Sequence, residues 1–253
     1  MNSNCPNDMN RERALRAFND YVEGYDLADI SVSLKVAHSY RVAHLAERIA
    51  VSVLPQQPNC SDFAWLLGLL HDIGRFEQVT RYGTFKDALS VDHAELGADI
   101  LFCDGLFDTF ISREESHEMR AIAEAAIRLH NKLKIPDDLD FQTRTYAKIL
   151  RDADKVDIFR VLTEPPYDER NFAGLTVRDE VMRCVKEHRC VPRVAQYNEL
   201  EALISQCCMA FELEYPESRA IVIEQGYLAK LLSHDSELLA AVKAEIKRAW
   251  GTI

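Results

Sequence analysis

The heptapeptide LLHDIGR, at residues 69–75, ends an apolar run with two strong metal-binding side chains next to each other. Successive side chains on a helix point about 100° apart, so His71 and Asp72 would face different directions from one helix end. The two oxygens of a carboxylate can bridge two cations, whereas one imidazole nitrogen binds a single cation. The pair therefore suits the middle of a mononuclear or dinuclear metal centre, and Gly74 is predicted to end the helix and leave room above it.

The composition favours a helical globular protein. The chain has 253 residues, of which 47% are hydrophobic, with only 9 glycines and 8 prolines. This length supports one large domain or two small ones, and the scarcity of turn-forming residues favours helices over many short strands. We predict an all-α fold arranged as a single domain over residues 1–253.

The net charge and the cysteine content limit which binding partners and which cellular compartment we expect. The net charge is −11, and an acidic chain is not expected to bind a nucleic-acid polymer, because such binding depends on neutralising phosphates. The N-terminus lacks the apolar core of a signal peptide, and no stretch reaches the roughly 18 apolar residues of a membrane helix. The seven cysteines are odd in number and lack a CxxC pair, which indicates free thiols in a reduced setting. We expect a cytoplasmic protein with no membrane partner.

Apolar residues recur at helical spacing along most of the chain. The sequence predicts helices over residues 9–25, 29–54, 60–74, 90–104, 112–132 and 138–162, and further helices near 177–188, 193–213, 217–232 and 236–250. Asp29 or Ser31 would begin the second of these helices, and Ser90 would cap the helix over 90–104. Two longer loops are expected, over 75–89 and 163–176.

Four histidines fall on four different predicted helices or helix ends, each among apolar or small residues: His38, His71, His93 and His130. Asp154 lies inside the helix over 138–162, with isoleucine, leucine and valine as neighbours. An unpaired carboxylate buried among such residues is costly, and a metal ion would satisfy it.

The order His38, His71-Asp72, Asp154 resembles the H…HD…D signature of the HD-domain superfamily of metal-dependent phosphohydrolases. The flanking words HSYRVAHLAERIA, LLHDIGR and DADKVD agree with that signature. The resemblance implies an HD-domain helical bundle over about residues 30–165, followed by a C-terminal helical extension over about 166–253. The extension carries no motif, and its helices would complete the pocket wall or form a homodimer face.

The resemblance also implies the metal ligands. His93 and His130 lie between the HD pair and Asp154, as in dinuclear members similar to HD-type dinucleoside polyphosphate hydrolases. The first ion would take His38, His71, Asp72 and Asp154, and the second would take His93 and His130 with Asp72 as a bridge. Imidazole and carboxylate ligands suit Fe, Mn, Zn, Co or Ni, and the ligand types do not distinguish among these metals. Either one or two divalent ions would be bound.

The implied reaction is hydrolysis of a phosphoester or phosphoanhydride in a nucleotide or other small phosphorylated metabolite. Metal ions would lower the pKa of a water molecule to give hydroxide and would clamp the attacking and leaving oxygens. We expect the catalytic residues to be His71, Asp72, Arg75 and Lys155. The expected substrate-binding residues are Arg75, Tyr82, Lys132 and Lys155, whose cationic members would hold phosphate.

Three other functions remain open on the sequence. The same ligand set with a mixed-valent di-iron centre is used by HD-type oxygenases that resemble inositol oxygenase. A mononuclear 5′-nucleotidase-like enzyme would use His93 and His130 for other purposes. A non-enzymatic nucleotide sensor is disfavoured, because a sensor does not need every metal ligand. The downstream GYP motif of cyclic-dinucleotide phosphodiesterases is absent, so that substrate is not assigned.

Overall fold

The computed structural model describes residues 9–55, 60–165, 172, 174–192, 197–234 and 236–251, without the side chains of residues 113–118. Over these residues the chain forms helices and connecting segments and contains no strand, which confirms the all-α prediction. The chain divides into two compact units, Met1–Asp154 and Lys155–Ile253. The organisation as a single domain stays a prediction. Within the described parts, no helix has both the length and the apolar character needed to cross a membrane.

The described part of the first unit is built from helices that carry all the predicted metal ligands on themselves or at their ends. They are α1 (Arg11–Val22), α2 (Ile30–Val53), α3 (Cys60–Leu70), α4 (Ile73–Tyr82), α5 (His93–Ala98), α6 (Phe107–Phe110), α7 (Arg113–Leu129) and the first part of α8 (Phe141–Val161). The cap predicted for α2 is confirmed at Asp29, whose side chain accepts a hydrogen bond from the backbone N–H of Ser31.

The core of the first unit forms where α3 packs along α2. Every residue from Phe63 to Leu70 is buried, so α3 is covered on all sides. A Cβ atom added at Gly68 would lie 2.6 Å from Cα of Ala43, which means that the two helix backbones touch at this point. This close packing fixes the middle of α2 relative to the C-terminal end of α3, where His71 follows.

The prediction that Gly74 ends a helix is wrong. The α3 helix ends at Leu70, and after His71 and Asp72 the chain starts α4 at Ile73, so Gly74 is the second residue of a new helix. A Cβ atom at Gly74 would lie 2.4 Å from the backbone oxygen of His93 and 2.5 Å from the backbone nitrogen of Gly97. Glycine is present because α4 and α5 approach each other closely, and not because the helix stops.

The predicted loop over 75–89 is also wrong in its first half. The α4 helix runs to Tyr82, with Ile73, Phe76 and Gln78 buried on its inner side, and it ends at Gly83 with φ of 62°. A glycine at this left-handed position is a common way to end a helix. Beyond it, the chain contains only a short 3-10 turn over Asp87–Leu89 before α5 begins.

The N-cap of α5 is Asp92 and not the predicted Ser90. The Asp92 carboxylate accepts hydrogen bonds from the backbone N–H groups of Ala94 and Glu95. Its two oxygens also accept hydrogen bonds from the side chains of Asn131 and Lys132, in the segment that follows α7. One aspartate therefore fixes both the start of α5 and the chain just after α7.

The described part of the second unit continues α8 and adds further helices: α9 (Asp179–Lys186), α10 (Glu199–Cys207), α11 (Pro216–Gln225), α12 (Tyr227–Leu231) and α13 (Glu237–Trp250). Within this unit, α13 packs against α9 and α10. The loop predicted over 163–176 lies partly outside the described residues.

The prediction of free thiols holds at five positions and fails at a sixth. The free cysteines are Cys103, Cys184, Cys190, Cys207 and Cys208. Cys60, at the start of α3, is disulfide-bonded.

The close approach of α4 and α5 predicts that Gly74→Ala lowers the free energy of unfolding by about 2 kcal/mol or more, because the new methyl group meets backbone atoms that cannot rotate away. Urea unfolding followed by circular dichroism measures this change. Gly24→Ala is the matched control: its Cβ would lie 3.2 Å from the Tyr21 oxygen, and we expect a change within about 1 kcal/mol. Equal losses in the two variants would contradict the close approach.

Candidate metal centre

Four predicted ligands from separate parts of the first unit face one point. His38 lies in the middle of α2, His71 follows α3, Asp72 precedes α4, and Asp154 lies on α8. His38 Nε2 is 3.1 Å from Asp154 Oδ1 and 3.6 Å from Asp72 Oδ2. His71 Nε2 is 3.6 Å and 3.5 Å from the same two oxygens. Ligand atoms at about 2.1 Å from one metal ion are about 3.0–3.4 Å apart, so these separations fit a shared ion.

A second group of ligand atoms meets the other oxygen of Asp72. His93, the first residue of α5, places Nε2 3.4 Å from Asp72 Oδ1. His130, just after α7, places Nε2 3.7 Å from that oxygen. The two imidazole Nε2 atoms are 3.0 Å apart. Asp72 thus directs Oδ2 to one pair of histidines and Oδ1 to another, as a bridging carboxylate would.

Hydrogen bonds fix the tautomers of three of these histidines. The Nδ1 atoms of His71 and His130 lie 2.7 Å from the backbone oxygens of Gly68 and Ile127. The Nδ1 atom of His93 lies 2.8 Å from Asp87 Oδ2. Because carbonyl and carboxylate oxygens only accept, Nδ1 carries the proton in each ring, and Nε2 of the neutral ring presents a lone pair. Histidines that bind metals are commonly held in this way.

The environment of the histidine Nε2 atoms favours a bound cation. His71 Nε2 is buried and has no hydrogen-bond partner. Burial lowers the pKa of His93 to about 4 even though Asp87 opposes the shift, so this ring is neutral at pH 7. Nε2 of His93 and Nε2 of His130 lie 3.0 Å apart, a separation that a shared cation would fit. These residues therefore fit divalent metal ions.

Both carboxylates of the centre are ionised. Burial alone would raise the pKa of Asp72, but the positive charges of Lys35 and Arg75 hold it well below its usual value. Burial acts in the same direction on Asp154, and the hydrogen bond with His38 holds its pKa well below the usual value as well. Ionised carboxylates and neutral imidazoles are the protonation states that metal binding requires.

Two residues that the sequence reasoning missed contact the predicted ligands directly. Lys35 Nζ lies 2.6 Å from Asp72 Oδ2. Lys35 precedes His38 by three residues on α2, and this spacing on one helix face is a signal that could have identified it. Asp87 accepts from His93 and lies in the segment that was predicted as a loop, where no periodicity indicated which side chains turn inward.

Arg75, a predicted substrate-binding residue, lies beside the centre. Its Nη1 donates to the backbone oxygen of Phe85 at 2.6 Å, to Gln78 Oε1 at 2.7 Å and to Asp87 Oδ1 at 2.9 Å. Its Nε lies 3.6 Å from Asp72 Oδ1. That Nε atom is buried and has no hydrogen-bond partner. Arg75 thus keeps an unused N–H donor next to the Asp72 carboxylate.

The other predicted substrate-binding residues have different environments. Lys132 Nζ pairs with Asp92 Oδ2 at 2.6 Å and Glu95 Oε1 at 3.0 Å. Lys155 belongs to the second unit, where it pairs with Glu212 at 2.5 Å. Tyr82 ends α4 and is 47% exposed. The ion-pair partners of Lys132 and Lys155 are carboxylates other than the predicted ligands, and the roles of all three residues stay predictions.

Residues 36–158 match the family model described as HD domain. This range contains all six predicted ligands, and their clustering is compatible with a metal site. Residues 36–158 therefore form an HD domain, and proteins of the HD-domain superfamily are mostly metal-dependent hydrolases. No curated protein and no solved structure matches the chain.

The contact between Asp87 and His93 predicts that Asp87→Asn weakens metal binding by about 10–100-fold. In the native protein the Asp87 carboxylate orients the imidazole ring and increases the basicity of Nε2, and the substitution removes this negative charge. Titration of the chelator-stripped protein with Mn²⁺ in a calorimeter measures the affinity. Asp20→Asn removes the same charge from an exposed position on α1 and should leave the affinity unchanged. An unaltered Mn²⁺ affinity in Asp87→Asn would show that Asp87 does not support a ligand.

Proposed function

We propose that this protein is a metal-dependent phosphohydrolase with two divalent ions, which cleaves a phosphoester or phosphoanhydride of a nucleotide or other small phosphorylated metabolite. The observation that carries this proposal is the Asp72 carboxylate, whose two oxygens face two separate histidine pairs. One ion would be held by His38, His71, Asp72 and Asp154, and the other by Asp72, His93 and His130.

The chemistry divides between the ions and the chain. Bound divalent ions would lower the pKa of water, so that hydroxide is available at neutral pH, and would offset charge on the phosphoryl oxygens. The unused Nε–H of Arg75 would donate to a phosphoryl oxygen and add positive charge where negative charge develops. Asp87 holds the guanidinium of Arg75 and the ring of His93 at the same time, which orients both without further rearrangement. No side-chain nucleophile is required.

The contacts of Arg75 support a phosphorylated substrate over the oxygenase alternative. An arginine that keeps a buried N–H donor beside the centre suits an anionic group with several acceptor oxygens. The oxygenase alternative requires a di-iron centre and consumption of oxygen. The mononuclear alternative requires one ion per chain, and the sensor alternative requires binding without turnover.

Metal content tests the proposal most directly. Elemental analysis of protein purified without chelator or a metal-affinity tag should give two transition-metal ions per chain. The products are then assayed as phosphate released from nucleotides and sugar phosphates, with oxygen consumption measured in parallel if iron predominates. One ion per chain would support the mononuclear alternative. No ion, even after reconstitution with Mn, Fe, Co or Ni, would contradict the proposal.

Single substitutions should separate the two ions. His93→Ala and His130→Ala are each expected to lower the content from two ions to one, because each removes a ligand of only one proposed ion. His44→Ala is the matched control, since the His44 side chain is 70% exposed and contacts only Glu47 among the ion pairs found. Loss of both ions in His93→Ala, or of neither, would contradict the assignment of ligands to two ions.

Substitution of the central pair should remove activity without removing the fold. We expect His71→Ala and Asp72→Ala to lower turnover by more than about a hundredfold. This effect is larger than the one expected for a residue that only hydrogen-bonds to a ligand, such as Asp87. Circular dichroism should still report a largely helical protein. Asp20→Ala provides the exposed control. Full turnover in Asp72→Ala would rule out the metal-site assignment.

A further inference from the structure

Lys35 places a positive charge where a metal ion is also expected. Its Nζ lies 2.6 Å from Asp72 Oδ2, the oxygen that faces His38 and His71. An ammonium group donates hydrogen bonds and has no lone pair, so it cannot be a metal ligand. Lys35 and a metal ion would therefore compete for the same carboxylate oxygen.

Lys35 and Arg75 form a pair of cations around Asp72. Lys35 contacts Oδ2, and Arg75 Nε lies 3.6 Å from Oδ1, so each oxygen has one cation beside it. The Lys35 ammonium and the Arg75 guanidinium also lie 5.7 Å and 5.8 Å from the ring centroid of Phe85. The two cations thus share an aromatic neighbour and one small anionic group, the Asp72 carboxylate.

The two cations differ in how firmly they are held. Arg75 Nη1 is fixed by three acceptors, Gln78, Phe85 and Asp87, whereas Lys35 Nζ donates to Asp72 at the end of a flexible side chain. The Lys35 side chain is 21% exposed, against 3% for Asp72, so it reaches from the solvent edge to the buried carboxylate. A flexible four-carbon chain lets an ammonium group change partners at little cost.

Metal binding would make the present position of Lys35 unfavourable. An ion between Asp72 Oδ2 and the histidines would take over the negative charge that Lys35 neutralises and would repel the ammonium group. Lys35 would remain beside the centre, because its backbone is fixed on α2 one turn before His38. The phosphate of a bound substrate is then the available negative partner.

We propose that Lys35 is an exchangeable counterion that neutralises Asp72 before metal binding and, together with Arg75, binds the substrate phosphate afterwards. This inference rests on the proposed function, because it assigns a further phosphate-binding residue to the same site. It predicts opposite effects of Lys35 on the two ligands: Lys35 opposes metal binding and favours phosphate binding. A lysine that only stabilised the fold would not act in opposite directions.

The test measures two affinities in Lys35→Met. Calorimetric titration of the chelator-stripped protein with Mn²⁺ should give a dissociation constant about tenfold lower than that of the wild-type protein, because no ammonium group has to be displaced. Titration of the Mn²⁺-loaded protein with inorganic phosphate should give a dissociation constant about tenfold higher, since one charge-assisted contact is lost. Neither measurement requires turnover.

Two variants control for charge and for side-chain size. Lys35→Arg keeps the charge, and we expect both dissociation constants to stay within about threefold of the wild-type values. Lys134→Met removes one positive charge from a side chain that is 77% exposed, and both constants should be unchanged. If Lys35→Met lacks the helical dichroism of the wild-type protein, Lys35→Gln, which retains a donor for Asp72 but no charge, is measured in the same way.

The outcomes separate this inference from the proposed function. Unchanged or weaker Mn²⁺ binding in the uncharged variant, or unchanged phosphate binding, would overturn the role of Lys35 while leaving the metal centre intact. Failure of the wild-type protein to bind Mn²⁺ or any other divalent metal would overturn the proposed function and, with it, this inference.

Discussion

The centre depends on how the negative charge of the buried Asp72 carboxylate is compensated. An ionised carboxylate is unstable inside a protein unless other groups compensate its charge. Here the compensating charges are distributed over both oxygens, with Lys35 beside Oδ2 and Arg75 beside Oδ1, and a pair of histidines faces each oxygen. The helices that carry these residues must meet accurately, because a longer separation would leave the charge unpaired. Their packing is therefore inseparable from the electrostatics of Asp72.

Two glycines supply much of that accuracy. Gly68 lets α3 touch the backbone of α2, and Gly74 lets α4 touch the backbone of α5. They lie on either side of the His71-Asp72 pair, so contacts between rigid backbones fix the chain just before and just after it. Gly68 has a second role, since its carbonyl oxygen accepts the Nδ1 proton of His71. Close packing and ligand orientation are thus achieved by the same short segment.

The sequence predicted the ligands better than it predicted their surroundings. Histidines and an aspartate among apolar residues indicate buried polar groups, so candidate ligands could be identified from local patterns, and the resemblance to HD-domain proteins implied how they group around the metal ions. Asp87 could not, because the segment between α4 and α5 has no periodicity and is positioned by contacts of Arg75 and Gln78. The error at Gly74 has a similar origin: a glycine that ends a helix and one that permits close packing look alike until the neighbouring helix is known. The partner of a lysine is equally hidden, as the pairing of Lys132 with Asp92 illustrates.

Asp87 connects the two proposed parts of the site. Its carboxylate accepts from Nδ1 of His93, a predicted metal ligand, and from Nη1 of Arg75, a predicted phosphate-binding residue. The negative charge on Asp87 favours the tautomer of His93 that presents Nε2, and it also holds the guanidinium so that Nε points toward Asp72. A change in this single carboxylate would therefore alter the basicity of a ligand and the direction of an anion-binding donor together. On this reasoning, the proposed metal affinity and substrate affinity would not be independent properties, because one half-buried carboxylate supports both.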